Sequence, residues 1–150
     1  MSKILFVCLG NICRSPSAEA VFRALSDREG LPLTIDSAGT ADWHTNKPPY
    51  GPMQEAASPR GYQLESLKAR QVRPQDFDDF DLIIGMDAQN ISDLQEMKPT
   101  ASKATLARFT DFGEPQMTEV PDPYYTRDFE GALDLIETCS KGLIAHLKSR

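Results

Sequence analysis

The chain has 150 residues, 40% of them apolar and 25% charged, with a formal net charge of -6 and a pI near 4.9. That length supports one domain with its own hydrophobic core, and the acidic balance argues against the broad phosphate-backbone footprint of a nucleic-acid binder. No apolar run reaches the roughly 18 residues of a membrane helix, and the opening M-S-K-I-L-F-V-C is too short and too quickly polar for a signal peptide.

Lys3 to Val7 predicts a short buried strand. After a loop, Ala18, Val21, Phe22 and Leu25 recur at helical spacing, with Pro16 suited to the first turn and Gly30 ending the pattern. Leu33 to Ser37 predicts a second strand. Asn46 to Pro52, N-K-P-P-Y-G-P, predicts a surface loop. A short helix is expected over Met53 to Ser58, and a helical turn over Arg73 to Phe80. Its acidic run Asp76 to Asp81 reads as a solvated turn. Asp81 to Met86 predicts a third strand whose contiguous apolar residues suit a parallel sheet covered on both faces. Ala88 to Met97 predicts a helix limited by Pro99, and Leu106 to Phe109 a fourth strand. Val120 to Tyr125, with prolines at 121 and 123, is expected to be irregular. From Phe129 to Leu147 an apolar stripe marks a long final helix. Strands alternating with helices predict an α/β fold: one three-layer domain over residues 1–150, with a central four-stranded parallel sheet and helices on both faces.

The loop between the first strand and first helix is C-L-G-N-I-C-R-S-P, Cys8 to Pro16. In parallel sheets the carboxyl end of a central strand is where ligands bind. The amides of Leu9, Gly10, Asn11, Ile12, Cys13 and Arg14 can curl into a nest, and the helix terminus adds positive potential. Gly10 supplies conformational freedom, and Asn11 tolerates a positive φ. Arg14 carries a planar fork that matches two phosphate oxygens. Cys8 stands at the base of this cup, in surroundings that favour a thiolate, with Ser15 placed to donate to it. A sulfur so placed is suited to attack the phosphorus of a phosphate monoester and form a phosphocysteine. The glycine spacing and lysine of a nucleotide-binding loop are absent. The three cysteines, Cys8, Cys13 and Cys139, form no disulfide framework and no zinc pattern, so neither metal nor cofactor is expected.

The chain carries V-C-L-G-N-I-C-R-S-P-S-A-E-A at Val7 to Ala20, D-S-A-G-T at Asp36 to Thr40, N-K-P-P at Asn46 to Pro49, A-R-Q at Ala69 to Gln71, Met86-Asp87, and D-P-Y-Y at Asp122 to Tyr125. In these motifs and their order it closely resembles the low-molecular-weight protein tyrosine phosphatase family. The resemblance implies hydrolysis of phosphotyrosine in proteins, with Cys8 as nucleophile, Arg14 on the phosphate and Asp122 as general acid. It also implies a pocket formed by Ile12, Trp43 and Tyr124, with Tyr125 adjacent. Asn11, Ser15 and Ser37 would support the loop, and Cys8 and Cys13 would form a reversible redox pair. One departure stands out: Leu67 occupies the place where the family often has a histidine under the loop, and either Ser66 or a water substitutes for it or packing alone holds the loop. His44 is expected to face solvent.

Partners implied are a phosphotyrosine-containing protein substrate and a cognate tyrosine kinase, with no nucleic acid and no membrane; a cytoplasmic monomer is expected. Three alternatives stand beside this reading. A protein arginine phosphatase of the same family would carry threonine at Ile12. An arsenate reductase would need relay cysteines after the third strand, where this chain has I-I-G-M-D-A-Q-N. A non-catalytic phosphate-binding module would not need nucleophile, arginine and acid together.

Overall fold

A computed structural model describes residues 3–149. Four strands, β1 (Lys3–Cys8), β2 (Thr34–Gly39), β3 (Leu82–Gly85) and β4 (Thr105–Arg108), form one sheet in the order β2-β1-β3-β4. Every neighbouring pair is parallel. The helices are α1 (Arg14–Arg28), α2 (Gly51–Ala57), α3 (Asp76–Asp79), α4 (Ala88–Met97), α5 (Pro123–Thr126) and α6 (Phe129–Lys148).

Side-chain alternation along β1 divides the core in two. Ile4, Phe6 and Cys8 belong with Val21 and Phe22 of α1 and with Leu133, Ile136 and Leu143 of α6. Leu5 and Val7 belong with Phe77 of α3 and Leu94 of α4. Because successive strand residues face opposite sides, one short strand contributes to both layers. The four-stranded parallel sheet with helices on both faces is thus the predicted architecture.

Several boundaries differ from expectation, among them α2, which begins at Gly51, inside the predicted loop. β2 runs two residues further, to Gly39, because it pairs with β1 as far as Cys8. β4 begins at Thr105, and Phe109 instead opens a 3-10 turn to Phe112. The segment Val120 to Tyr125 is not wholly irregular. Asp122 caps α5 by accepting from the Tyr124 amide at 3.1 Å, and Pro123 occupies the first helical position, where it forfeits no hydrogen bond.

The acidic run is a further correction. Asp76 is fully buried rather than solvated. Its carboxylate takes both terminal nitrogens of Arg70 at 3.0 Å, and the Arg73 amide at 2.9 Å. A buried carboxylate needs such partners, and Arg70, six residues earlier in the A-R-Q segment, supplies the charge. Asp78 and Asp79 are exposed, as expected.

Candidate active site

The strand order reverses at β1, whose two neighbours are β2 and β3. This is the switch point at which open parallel sheets leave a crevice. The loop from Cys8 fills it. Its carbonyls are drawn away by surrounding segments: Cys8 and Leu9 accept from the amides of Thr40 (2.9 Å) and Ala41 (3.0 Å), Ile12 from Tyr50 (2.8 Å), and Cys13 from Ser17 (3.3 Å). Asn11 adopts φ 57, the left-handed turn the sequence led us to expect, and its amide donates to the Cys8 sulfur at 3.3 Å. Gly39 is required here, since a Cβ would stand 2.7 Å from the Leu9 carbonyl oxygen. The start of α1 has no side-chain cap and no acidic residue in its first turn. Its positive end is thus left uncompensated beside the loop.

The supporting hydrogen bonds form a chain. The Arg70 amide donates to Asn11 Oδ1 at 3.0 Å. Asn11 Nδ2 donates to Ser15 Oγ at 2.8 Å and to Ser37 Oγ at 3.1 Å. Ser37 donates to Glu19 Oε1 at 2.6 Å, and Arg23 reaches Glu19 Oε2 at 2.8 Å. Ser15 Oγ lies 3.1 Å from Cys8 Sγ. Asn11, Ser15, Ser37 and Glu19 are all buried. Leu67 packs against the core, while Ser66 is exposed and does not substitute for a histidine. Glu19 takes Ser37 instead. Glu19 was not singled out in the sequence, although it lies within the quoted S-A-E-A.

Arg14 is buried, yet it is well partnered. One terminal nitrogen donates to Asp87 Oδ2 at 2.7 Å and to the Val120 carbonyl at 2.9 Å; the other lies 3.4 Å from Asp122 Oδ2. Burial opposes its charge, but Cys8, Asp87 and Asp122 outweigh that, and the guanidinium is held above its ordinary value. Its Nε is buried with no partner. Asp87 also caps α4 through the Asn90 amide at 2.8 Å. An aspartate immediately before a helical pattern is a capping signal; the added pairing with Arg14 is a tertiary fact.

A cleft of about 230 Å³ opens above the loop. Cys8, Leu9, Gly10, Ile12 and Cys13 line its base; Trp43, His44, Asp122, Tyr124 and Tyr125 line its sides. It is smaller than the roughly 300–1,000 Å³ of sites for drug-sized ligands, so it suits one side chain. Trp43 is 62% exposed and Tyr125 68% exposed, which places both rings at the mouth. The Tyr124 and Tyr125 rings meet edge to face at 5.3 Å. His44 lines the cleft rather than only facing solvent. Arg14 borders an adjoining hollow that shares Leu9, Asp122 and Tyr125 with the cleft. Burial pushes the Cys13 thiol up to about 12, with the charges of Cys8 and Asp122 adding to it. Among the described residues no group of three or more His, Cys, Asp or Glu could hold a metal.

Tyr50 was missed in the sequence. Its amide bonds to Ile12 of the loop, its ring lies 5.1 Å from that of Tyr124, and its hydroxyl accepts from Arg127 at 3.0 Å. It thus joins the segment carrying Cys8 to the segment carrying Asp122. No periodicity signals such a contact.

The pattern of the family described as "Low molecular weight phosphotyrosine protein phosphatase" matches residues 3–150. The low molecular weight protein-tyrosine-phosphatase YfkJ of Bacillus subtilis is 45% identical over 151 residues, covering 99% of this chain and 97% of its own. Its crystal structure superposes with a TM-score of 0.93 at 45% identity, covering 99% of this chain and 96% of that one. A protein tyrosine phosphatase from Entamoeba histolytica, crystallised with Hepes in the active site, gives a TM-score of 0.93 at 38% identity over 99% of this chain and 98% of its own. A Drosophila arginine phosphatase gives 0.92 at 29% identity, covering 97% and 98%. The loop, its convergent arginine and aspartate, and these likenesses agree, and the chain belongs to the low molecular weight phosphotyrosine protein phosphatase family.

Proposed function

We propose that the chain hydrolyses phosphotyrosine in proteins through a phosphocysteine on Cys8. The observation that carries this reading is convergence: the sulfur lies at the base of the cleft with Asp122 on its side, and Arg14, at the adjoining hollow, lies 3.4 Å from Asp122 although 108 residues separate them in sequence. The phosphate would sit on the loop amides and take the Arg14 fork through Nε and a terminal nitrogen. The thiolate attacks phosphorus, the bond to the phenolic oxygen breaks, and Asp122 gives that oxygen its proton. Water then gives a proton back to Asp122 and attacks phosphorus. The phosphorus–sulfur bond breaks, and the departing thiolate is received by Ser15 and the Asn11 amide.

Substrate choice follows from the walls. Trp43 and Tyr124 offer aromatic faces to a phenyl ring, with Ile12 beneath. The likeness to an arginine phosphatase raises phosphoarginine as a second reading. The Ile12 side chain has no hydroxyl for a guanidinium, which favours the phenyl group. A cysteine relay for arsenate reduction finds little support: Cys139 is buried in α6. In the same reading residues 1–150 form one catalytic domain, acting as a cytoplasmic monomer opposite a tyrosine kinase, without a nucleic acid or membrane partner. No helix among the described residues is long and apolar enough to cross a membrane.

The test compares kcat/KM on matched phosphotyrosine, phosphoserine and phosphoarginine peptides, with Cys8→Ser as control. Preference for phosphotyrosine and loss of turnover in Cys8→Ser are expected. Preference for phosphoarginine, or turnover by Cys8→Ser, would overturn the reading.

A further inference from the structure

Beside the cleft lies a second groove of about 350 Å³. It is continuous with the cleft, since Ile12, His44 and Tyr124 border both. Its far side is Pro48, Pro49 and Tyr50, and Lys47 stands at its edge. The groove is pre-formed. Tyr50 is fixed through its backbone to Ile12, through its ring to Tyr124 and Phe129, and through its hydroxyl to Arg127. Pro48 and Pro49 have restricted backbones, so little order must be gained on binding.

Charge sets the groove apart from the molecule as a whole. The protein carries -6, yet Lys47 at the edge of the groove and Arg127, which contacts the groove residue Tyr50, have no carboxylate partner among the described residues. Arg127 instead lies over the Tyr50 ring, 5.3 Å from its centroid, and donates to the Tyr124 carbonyl at 3.3 Å.

We propose that this groove is a subsite for the residue next to the phosphotyrosine in the substrate chain, and that it selects an acidic side chain. This rests on the phosphotyrosine reading above. With the phosphorylated ring between Trp43 and Tyr124, the substrate backbone leaves the cleft across the shared border. The neighbouring side chain lays its methylene stem on the prolines and sets its carboxylate toward Lys47 and Arg127. A solvent-facing pair of this kind gives modest discrimination in binding and acts on partner choice more than on chemistry.

The experiment uses three phosphotyrosine peptides that differ only in carrying glutamate, glutamine or lysine on both sides of the phosphotyrosine, with p-nitrophenyl phosphate as a substrate too small to reach the groove. The wild-type protein should prefer the glutamate peptide over the lysine peptide by about fivefold in kcat/KM. Lys47→Glu should abolish or reverse that order and leave p-nitrophenyl phosphate within about twofold. Lys103→Glu changes net charge equally but lies just before β4, at the amino end of the sheet; it should keep the glutamate preference. Equal rates on all three peptides, or equal shifts in the two charge variants, would overturn the subsite and leave the phosphotyrosine reading intact. No turnover of any of the peptides would instead overturn that reading.

Discussion

The Ser15 hydroxyl oxygen lies 3.1 Å from the Cys8 sulfur, and the surrounding network directs its proton there. Asn11 Oδ1 is occupied by the Arg70 amide, so Nδ2 serves Ser15 and Ser37. Ser15 Oγ therefore accepts from Asn11, which leaves its proton for Cys8 or for the Ala38 carbonyl at 3.3 Å. A thiolate is the stronger acceptor of the two. Ser15→Ala should retain the fold and lose about tenfold or more in kcat. The phosphoenzyme should accumulate, because the departing thiolate loses its donor. Rapid-quench measurement of the covalent intermediate checks this; unchanged steady-state levels with unchanged kcat would remove Ser15 from the mechanism.

Arg14 combines two terminal-nitrogen anchors with an Nε that has no partner. Asp87 and the Val120 carbonyl fix the plane of the fork. Lysine would keep the charge but could not hold both anchor and phosphate. Arg14→Lys should lose about a hundredfold or more in kcat, with a smaller change in phosphate affinity. A kcat within a few-fold of wild type would show that charge alone suffices.

Asp122 caps α5 and lies on the rim of the cleft. Asn can keep the cap but cannot donate a proton to a leaving phenolate. Asp122→Asn should reduce kcat/KM on phenyl phosphate by about a hundredfold, and much less on an ester of a strongly acidic phenol. A uniform loss across such a series would assign Asp122 a structural role only.

Cys8 and Cys13 border one cleft as free thiols. With its thiol pushed up to about 12, Cys13 is protonated near neutral pH and does not compete as the nucleophile. We propose that it captures a Cys8 sulfenic acid, releasing water and forming a disulfide that dithiothreitol reverses. After mild peroxide, wild type should lose two hydrogens by intact mass and recover fully. Cys13→Ser should keep basal activity, recover less, and accumulate sulfinic acid on Cys8. Equal recovery would leave Cys13 a packing residue.

Alkaline stability follows from two buried thiols. Burial pushes Cys139 up to about 11 and is the main cause at Cys13, which reaches about 12, both from 9.0. Each therefore keeps its proton in the folded chain after the unfolded chain has released it. Stability from this source is full below pH 9 and is lost as pH rises through about 11 to 12. Urea midpoints under reducing conditions should fall over that range, and Cys139→Ala should flatten the fall although it lowers stability throughout. An unchanged slope in Cys139→Ala would contradict the assignment.

The nucleophile, its arginine and its serine were legible in the sequence because nine consecutive residues carry them between a strand and a helix. Local hydrogen bonds within that range join Cys8, Asn11 and Ser15. Apolar periodicity likewise identified the strands and long helices, because side-chain direction repeats within each element. The parallel sheet then did what no local pattern encodes. It set the carboxyl ends of β1 and β3 side by side and brought Asp87, Val120 and Asp122 to Arg14 across 73 to 108 residues of sequence. The burial of Asp76 could not be read from an acidic run, since its compensating charge, Arg70, lies six residues before it, outside the run, and meets it only through the turn at Arg73. Nor could the place of Tyr50 between the two functional loops, because that contact arises only when α2 and α5 pack around the same cleft.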